Sequence, residues 1–201
     1  MHYCGKNFEG QASLNNSIKL QLANTDDIGR YSKRISALLS GLGIAADYGR
    51  MHKLPLQKEA DRLKSIGDDI YGREQKMLPE AADAWLEMWQ EASSDGVELQ
   101  AVSAFRSIEY QVAILRGKLD KGMKLKKILE VSTAPGYSEH HSGRALDITT
   151  PGYAVLEEEF EHSPAFEWLC EHAAKFGFSL SFPRDNRHGV VYEPWHWAWR
   201  V

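Results

Sequence analysis

The sequence predicts an α+β fold: a small, mainly antiparallel sheet flanked by helices, with an N-terminal helical extension. Three observations predict it. Two amphipathic runs at helical spacing open with proline in their first turn, at Pro79 and Pro164. Short apolar or alternating runs of strand length stand at 97–104 and 145–149, and two more close the chain at 178–182 and 190–199. Helices grouped beside such short strands fit α+β better than a doubly wound parallel sheet.

The elements follow in order. Residues 1 to about 25 are polar and irregular, and Ile35, Leu38 and Leu39 mark one helical face. A further helix rich in Lys, Glu and Asp is expected from Leu54 to Ile70. The helix from Pro79 carries Ala82, Trp85, Met88, Trp89 and Ala92 on one stripe, so Trp85 and Trp89 read as a core pair rather than a sugar-stacking pair. Asp95-Gly96 turns the chain into the first of the strands, which delivers Phe105-Arg106-Ser107 at its end. A helix over about Ile108–Lys121 and a short basic one over Lys124–Glu130 come next. Ala145–Thr149 is a strand ended by Pro151-Gly152. The helix starting at Ser163-Pro164 carries Phe166, Leu169, Cys170, Ala173 and Phe176 and stops at Gly177; Cys170 is expected in the core. Residues 1–53 are read as the extension and 54–201 as the domain.

Composition excludes several classes. At 201 residues and 43% apolar content, one good core is the expectation. A net charge of -4 supplies no broad cationic footprint, so no nucleic-acid partner is expected. No run is long enough to cross a bilayer, and no membrane association is expected. Cys4 and Cys170 stand too far apart to indicate a disulfide framework. The segment after Met1 has no apolar leader, so a cytoplasmic location is expected, or a periplasmic one for a trimmed chain.

The chemistry lies in two segments, Ser138-Glu139-His140-His141-Ser142-Gly143-Arg144-Ala145-Leu146-Asp147 and Glu193-Pro194-Trp195-His196. Asp147 falls inside an apolar strand between Leu146 and Ile148, where a carboxylate is costly unless neutralised, and a metal ion is the simplest partner. A sharp turn must bring a preceding histidine to the same point, and Gly143 can take the positive φ such a reversal needs. His140 and His141 both remain candidates here. His196 is the third ligand: Pro194 makes the segment an extended strand entry, with Trp195, Trp197 and Trp199 on one face and His196 on the other. Two histidines and one aspartate hold a tetrahedral Zn2+ with a fourth position for water, whose pKa falls from about 16 to ~7. Glu193 is placed to take that proton and pass it to a leaving amine. Arg106 suits a substrate carboxylate or a developing oxyanion, with Ser138 and Gln111 as secondary hydrogen-bonders. Taken singly, each has a bland explanation as a core imidazole, a salt-bridged acid or a surface charge; one metal site explains them jointly.

Ser103-Ala104-Phe105-Arg106-Ser107, Ser138-x-His140-x-x-Gly143-x-Ala145-x-Asp147 and Glu193-Pro194-Trp195-His196 together resemble the signatures of the VanY-like D-alanyl-D-alanine carboxypeptidases. These belong to a wider zinc group with lysostaphin-type endopeptidases and the hedgehog domain. The resemblance covers roughly residues 54 to 200. It implies zinc bound by His140, Asp147 and His196, thereby selecting His140 over His141, with Glu193 as base. Arg106 would contact the substrate carboxylate or tetrahedral intermediate, helped by Ser138 and Gln111. Phe105 departs from the Tyr that relatives often carry. The implied partner is a peptidoglycan stem peptide or muropeptide, cut before its C-terminal D-alanine. A cytosolic enzyme would act on recycled tetrapeptide, which favours L,D-carboxypeptidase activity. The alternatives are a D,D-carboxypeptidase or D,D-dipeptidase, a cross-link endopeptidase, and a non-catalytic zinc-binding module.

Overall fold

The computed structural model describes residues 27–200; the expected irregular start and Cys4 lie outside them. The chain divides into two compact units between Gly43 and Ile44. In the first, residues 27–41 form helix α1, with Ile35 and Leu39 buried.

The second unit carries α2 (Tyr48–Met51), β1 (Lys64–Asp68), β2 (Glu74–Met77), α3 (Pro79–Ser94), β3 (Gln100–Ser103), α4 (Ile108–Asp120), α5 (Leu125–Val131), β4 (Ala145–Thr149), α6 (Pro164–His172), β5 (Phe178–Leu180) and β6 (His196–Trp199). Strands β1 and β2 make a separate antiparallel hairpin. The other four form an antiparallel sheet in the order β3-β4-β6-β5. The α+β expectation is met.

The helix expected at Leu54–Ile70 is absent: Lys64–Asp68 is a strand paired with Glu74–Met77. Gly67 and Gly72 take φ of 92° and 72°, which breaks any helix and bends the chain back. The buried Asp69 carboxylate fixes the turn, accepting hydrogen bonds from Tyr71 N (2.8 Å), Arg73 N (3.0 Å), Arg73 Nε (2.7 Å) and Gln75 Nε2 (2.9 Å). Its charge-rich sequence belongs to a largely exposed ribbon, whose burial pattern gives no periodic signal.

Helix α3 opens on Pro79 and buries Ala81, Ala82, Trp85, Met88 and Ala92. The expected Trp pair splits: Trp85 is buried, whereas Trp89 is 44% exposed and donates Nε1 to Leu99 O at 3.1 Å. Ser163 caps α6 by accepting from Phe166 N at 3.0 Å, and the helix buries Ala165, Trp168 and Leu169. Cys170 is exposed, contrary to expectation, because one further step of about 100° carries it off the face centred on Ala165, Trp168 and Leu169. Leu146, Ile148 and Trp197 share the main core with α3 and α6. Period-two alternation therefore turns Asp147 and His196 to the opposite face of the sheet.

Candidate metal and catalytic site

Register assembles the site. Asp147, in the central strand β4, stands directly opposite His196 on β6 and Ser103 on β3. The chain reaches β4 through a 3-10 turn at Glu139–Ser142 that carries His140 and ends on Gly143 at φ 67°. A Cβ at Gly143 would sit 2.8 Å from Leu78 N, so both the left-handed backbone and the close approach require glycine. Pro194 and Trp195 lie in a turn rather than an extended entry: Glu193 O accepts from His196 N at 3.0 Å. That turn folds the Glu193 carboxylate back to 3.8 Å from His196 Nδ1. Strand β6 consequently begins only at His196.

His140, Asp147 and His196 are buried, and one potential ligand atom from each lies within 4.8 Å of the others. His140 Nδ1 stands 2.6 Å from Ala104 O and must donate to it, which leaves Nε2 as a lone pair in the neutral ring. Burial holds the His140 pKa below the usual histidine range, so neutral is its resting form. That lone pair faces Asp147 Oδ2 at 3.3 Å. Two acceptors facing each other repel unless a cation lies between them.

His196 repeats the pattern. Its Nε2 donates to Glu139 Oε2 at 3.1 Å, and its Nδ1 faces Asp147 Oδ1 at 3.0 Å. Burial opposes a charged ring, but the hydrogen bonds to Asp147 and Glu139 outweigh it and push His196 up to about 10. The surroundings thus draw a positive charge to this point. Burial also works against the Asp147 and Glu139 carboxylates, yet the two histidines hold Asp147, and His196 with Arg200 holds Glu139, below the usual carboxylate range. Tetrahedral ligands at zinc distances are about 3.4 Å apart, and each ring nitrogen here lies 3.0 or 3.3 Å from an Asp147 oxygen. The three residues fit a metal ion, with the second nitrogen of each histidine anchored by a hydrogen bond as metal sites require.

Glu193 differs from its neighbours. Burial, against the attraction of His196, pushes its carboxyl up to about 7. Arg106 lies between β3 and Ser107, the cap of α4, which accepts from Tyr110 N at 3.1 Å. Its Nη1 donates to Gln111 Oε1 (3.0 Å) and its Nη2 to Ser103 Oγ (3.1 Å), while Nε is buried without a partner. Gln111 also donates Nε2 to Thr133 O at 2.7 Å, so both ends of its amide are engaged, its oxygen on Arg106. Ser138, buried, lines the same cleft of about 360 Å3 as Arg106, Glu193 and the three candidate ligands. A larger hollow of about 740 Å3 beside Trp85 and Trp89 contains no histidine.

His141 is fully engaged elsewhere: Nδ1 donates to Arg106 O (2.6 Å) and Nε2 accepts from Gly136 N (3.1 Å). Burial lowers its pKa to about 4. His188 and His52 bond reciprocally, each ring nitrogen to the other's backbone oxygen, at 3.0 and 2.8 Å. Sequence reasoning missed Glu139, although an acid beside a candidate ligand histidine was there to be read as its hydrogen-bond partner. It also missed Lys118 and Leu156 at the cleft, where only the fold brings them.

A family model described as D-alanyl-D-alanine carboxypeptidase, VanY, matches residues 74–201. The chain belongs to this family. It is 31% identical over 161 residues to a D-alanyl-D-alanine carboxypeptidase of Enterococcus faecalis, covering 75% of this chain and 56% of that one. The curated relatives aligned with it are longer, and the alignments span 36% to 56% of their length. The structure of the LD-carboxypeptidase LdcB is similar at 32% identity and a TM-score of 0.62, covering 72% of this chain and 71% of that one. A vancomycin-resistance D,D-pentapeptidase VanY, solved as a point mutant in complex with Zn(II), matches at 26% identity and TM-score 0.55, covering 73% of this chain and 82% of that one.

Proposed function

We propose that this chain is a zinc carboxypeptidase that hydrolyses the bond before the C-terminal D-alanine of peptidoglycan stem peptides, leaning to the L,D bond of tetrapeptides. One observation carries the reading: His140 Nε2 and His196 Nδ1 converge on the buried Asp147 carboxylate, with the Glu193 carboxyl beside them and the Arg106 fork facing the same cleft.

His140 Nε2, Asp147 and His196 Nδ1 would hold the zinc. Bound there, it supplies a Lewis acid that makes water a nucleophile near neutral pH. Glu193 accepts the proton of the attacking water and returns it to the departing amine of D-alanine, the two transfers a single buried carboxyl beside the ligands can make. Arg106, braced by Gln111 and Ser103, holds the C-terminal carboxylate or the developing oxyanion. The zinc-bearing VanY structure supports the metal, and the likeness to LdcB supports the L,D bond. The D,D bond is the second reading, favoured by the likeness to the enterococcal D-alanyl-D-alanine carboxypeptidases.

Digestion of purified muropeptides followed by mass spectrometry tests this. D-alanine released from tetrapeptide supports the L,D reading, and release from pentapeptide alone replaces it with the D,D one. Cleavage of cross-linked dimers without D-alanine release indicates an endopeptidase. A zinc-loaded protein that cuts none of them defeats the proposal.

A further inference from the structure

Lys118 lies two turns beyond Gln111 on α4 and lines the same cleft as Arg106 and Glu193. Its Nζ donates to Ser132 Oγ at 2.8 Å, and among the described residues no carboxylate stands within ion-pair distance of it. Partial burial, then the charge of Arg106, work against its own charge and lower its pKa, with Glu193 offsetting only part of this. A half-buried ammonium held by one neutral hydroxyl is under-satisfied, and a ligand anion would complete it. Lys127 and Lys175, by contrast, each have a glutamate at 2.8 and 2.6 Å.

We propose that Lys118, with Ser132, forms a second anion subsite that reads a second carboxylate of the substrate, the first being the C-terminal one at Arg106. This rests on the carboxypeptidase reading above. Seven residues of helix place the Lys118 backbone about 10 Å along α4 from Gln111, the brace of Arg106. An extended peptide advances ~3.4 Å per residue. One residue plus a long side chain, as in meso-diaminopimelate, or two residues with the extra length of a γ-linkage, as to the α-carboxylate of D-glutamate, bring a second carboxylate across that span. A substrate whose penultimate side chain ends only in an ammonium, as lysine does, meets a like charge.

The test is calorimetric binding to the zinc-loaded Glu193→Gln protein, with Lys118 intact or changed to Met. Three tetrapeptides serve as probes: one with D-glutamate and meso-diaminopimelate, one with D-glutamate and L-lysine, and one with D-isoglutamine and L-lysine. With Lys118 present, a preference of about tenfold for the first over the second identifies the side-chain carboxylate, provided Lys118→Met collapses the ratio toward one. A similar Lys118-dependent preference for the second over the third identifies the glutamate carboxylate. Equal binding of all three, or ratios that survive Lys118→Met, overturns the subsite. D-alanine release by the wild-type protein is read separately: its failure sinks the carboxypeptidase reading, whereas the binding ratios decide the subsite without turnover.

Discussion

Glu139 accepts a hydrogen bond from His196 Nε2 at 3.1 Å and is itself held by Arg200 Nη2 at 2.6 Å. This pair fixes which nitrogen of His196 faces Asp147. A ligand histidine whose outer nitrogen is tied down is already oriented, and losing that tie commonly costs about 10- to 100-fold in metal affinity. Glu139→Ala should weaken zinc binding by about that factor in a chelator competition. Arg200→Ala should do less, because Arg200 is half exposed and its attraction is screened by solvent. Unchanged affinity in Glu139→Ala would show that the strand alone orients His196.

His140 and His141 are adjacent in sequence and turn their rings to different partners. His140→Ala removes a converging lone pair and should abolish stoichiometric zinc. His141→Ala leaves the three candidate ligands in place but strands the part-buried Arg106 carbonyl and the buried Gly136 amide. The expected loss is about 1–3 kcal/mol of stability for each buried polar group left unpaired. Metal analysis with denaturant melts separates the two; zinc lost from His141→Ala and kept in His140→Ala would reverse the assignment.

Burial of the Glu193 carboxyl makes stability depend on pH. Its folded pKa of about 7 exceeds the ordinary 4.5, so the folded protein binds more protons than the unfolded chain between those values. Stability of the metal-free protein therefore falls as pH rises through that window, with a cost on the order of 3 kcal/mol above it. Glu193→Gln should melt several degrees higher than wild type at pH 8, with the gap closing near pH 4, while zinc-loaded turnover drops by at least about 100-fold. A gap independent of pH would mean that the carboxyl is already ionised in the folded chain.

Much of this was legible in sequence where local chemistry dictates geometry. Gly143 needs its positive φ, Pro79 and Pro164 mark helix starts, and Asp147 inside an apolar strand demands a neutralising partner. What was not legible depends on contacts remote in sequence. The Lys64–Met77 ribbon is fixed by an Asp69 turn and docks beside β3, with Phe105 N bonded to Lys76 O at 2.9 Å, and no periodicity announces it. Cys170 and Trp89 sit at the margins of their helices' buried faces, where a shift of one position decides exposure. Lys118 reads as a surface charge until α4 is laid along the cleft.

Arg106 donates through both terminal nitrogens to Gln111 and Ser103, with Nε turned to no partner in the protein. An ammonium cannot reproduce this planar fork. Arg106→Lys should lower kcat/KM by about 100- to 1000-fold, the usual loss for an oxyanion or carboxylate donor, with zinc content unchanged. Gln111→Ala should lose part of the same activity by freeing the guanidinium. Near-normal kinetics in Arg106→Lys would make the arginine structural.

Leu156 lines the cleft, 41% exposed, with its backbone at φ 59°. A branched, apolar residue in the left-handed region is strained by about 1–2 kcal/mol, and nothing in its own exposure offsets that. Such strain at the lip of a site is kept when the side chain serves a ligand. Leu156→Gly should relieve it, leaving the melting temperature equal or higher despite glycine's greater entropy in the unfolded chain. The same change removes an apolar wall of the substrate cleft, so KM should rise about 5- to 30-fold with kcat little altered, as expected for loss of a buried aliphatic contact. A lower melting temperature with unchanged KM would place Leu156 among residues that support the fold alone.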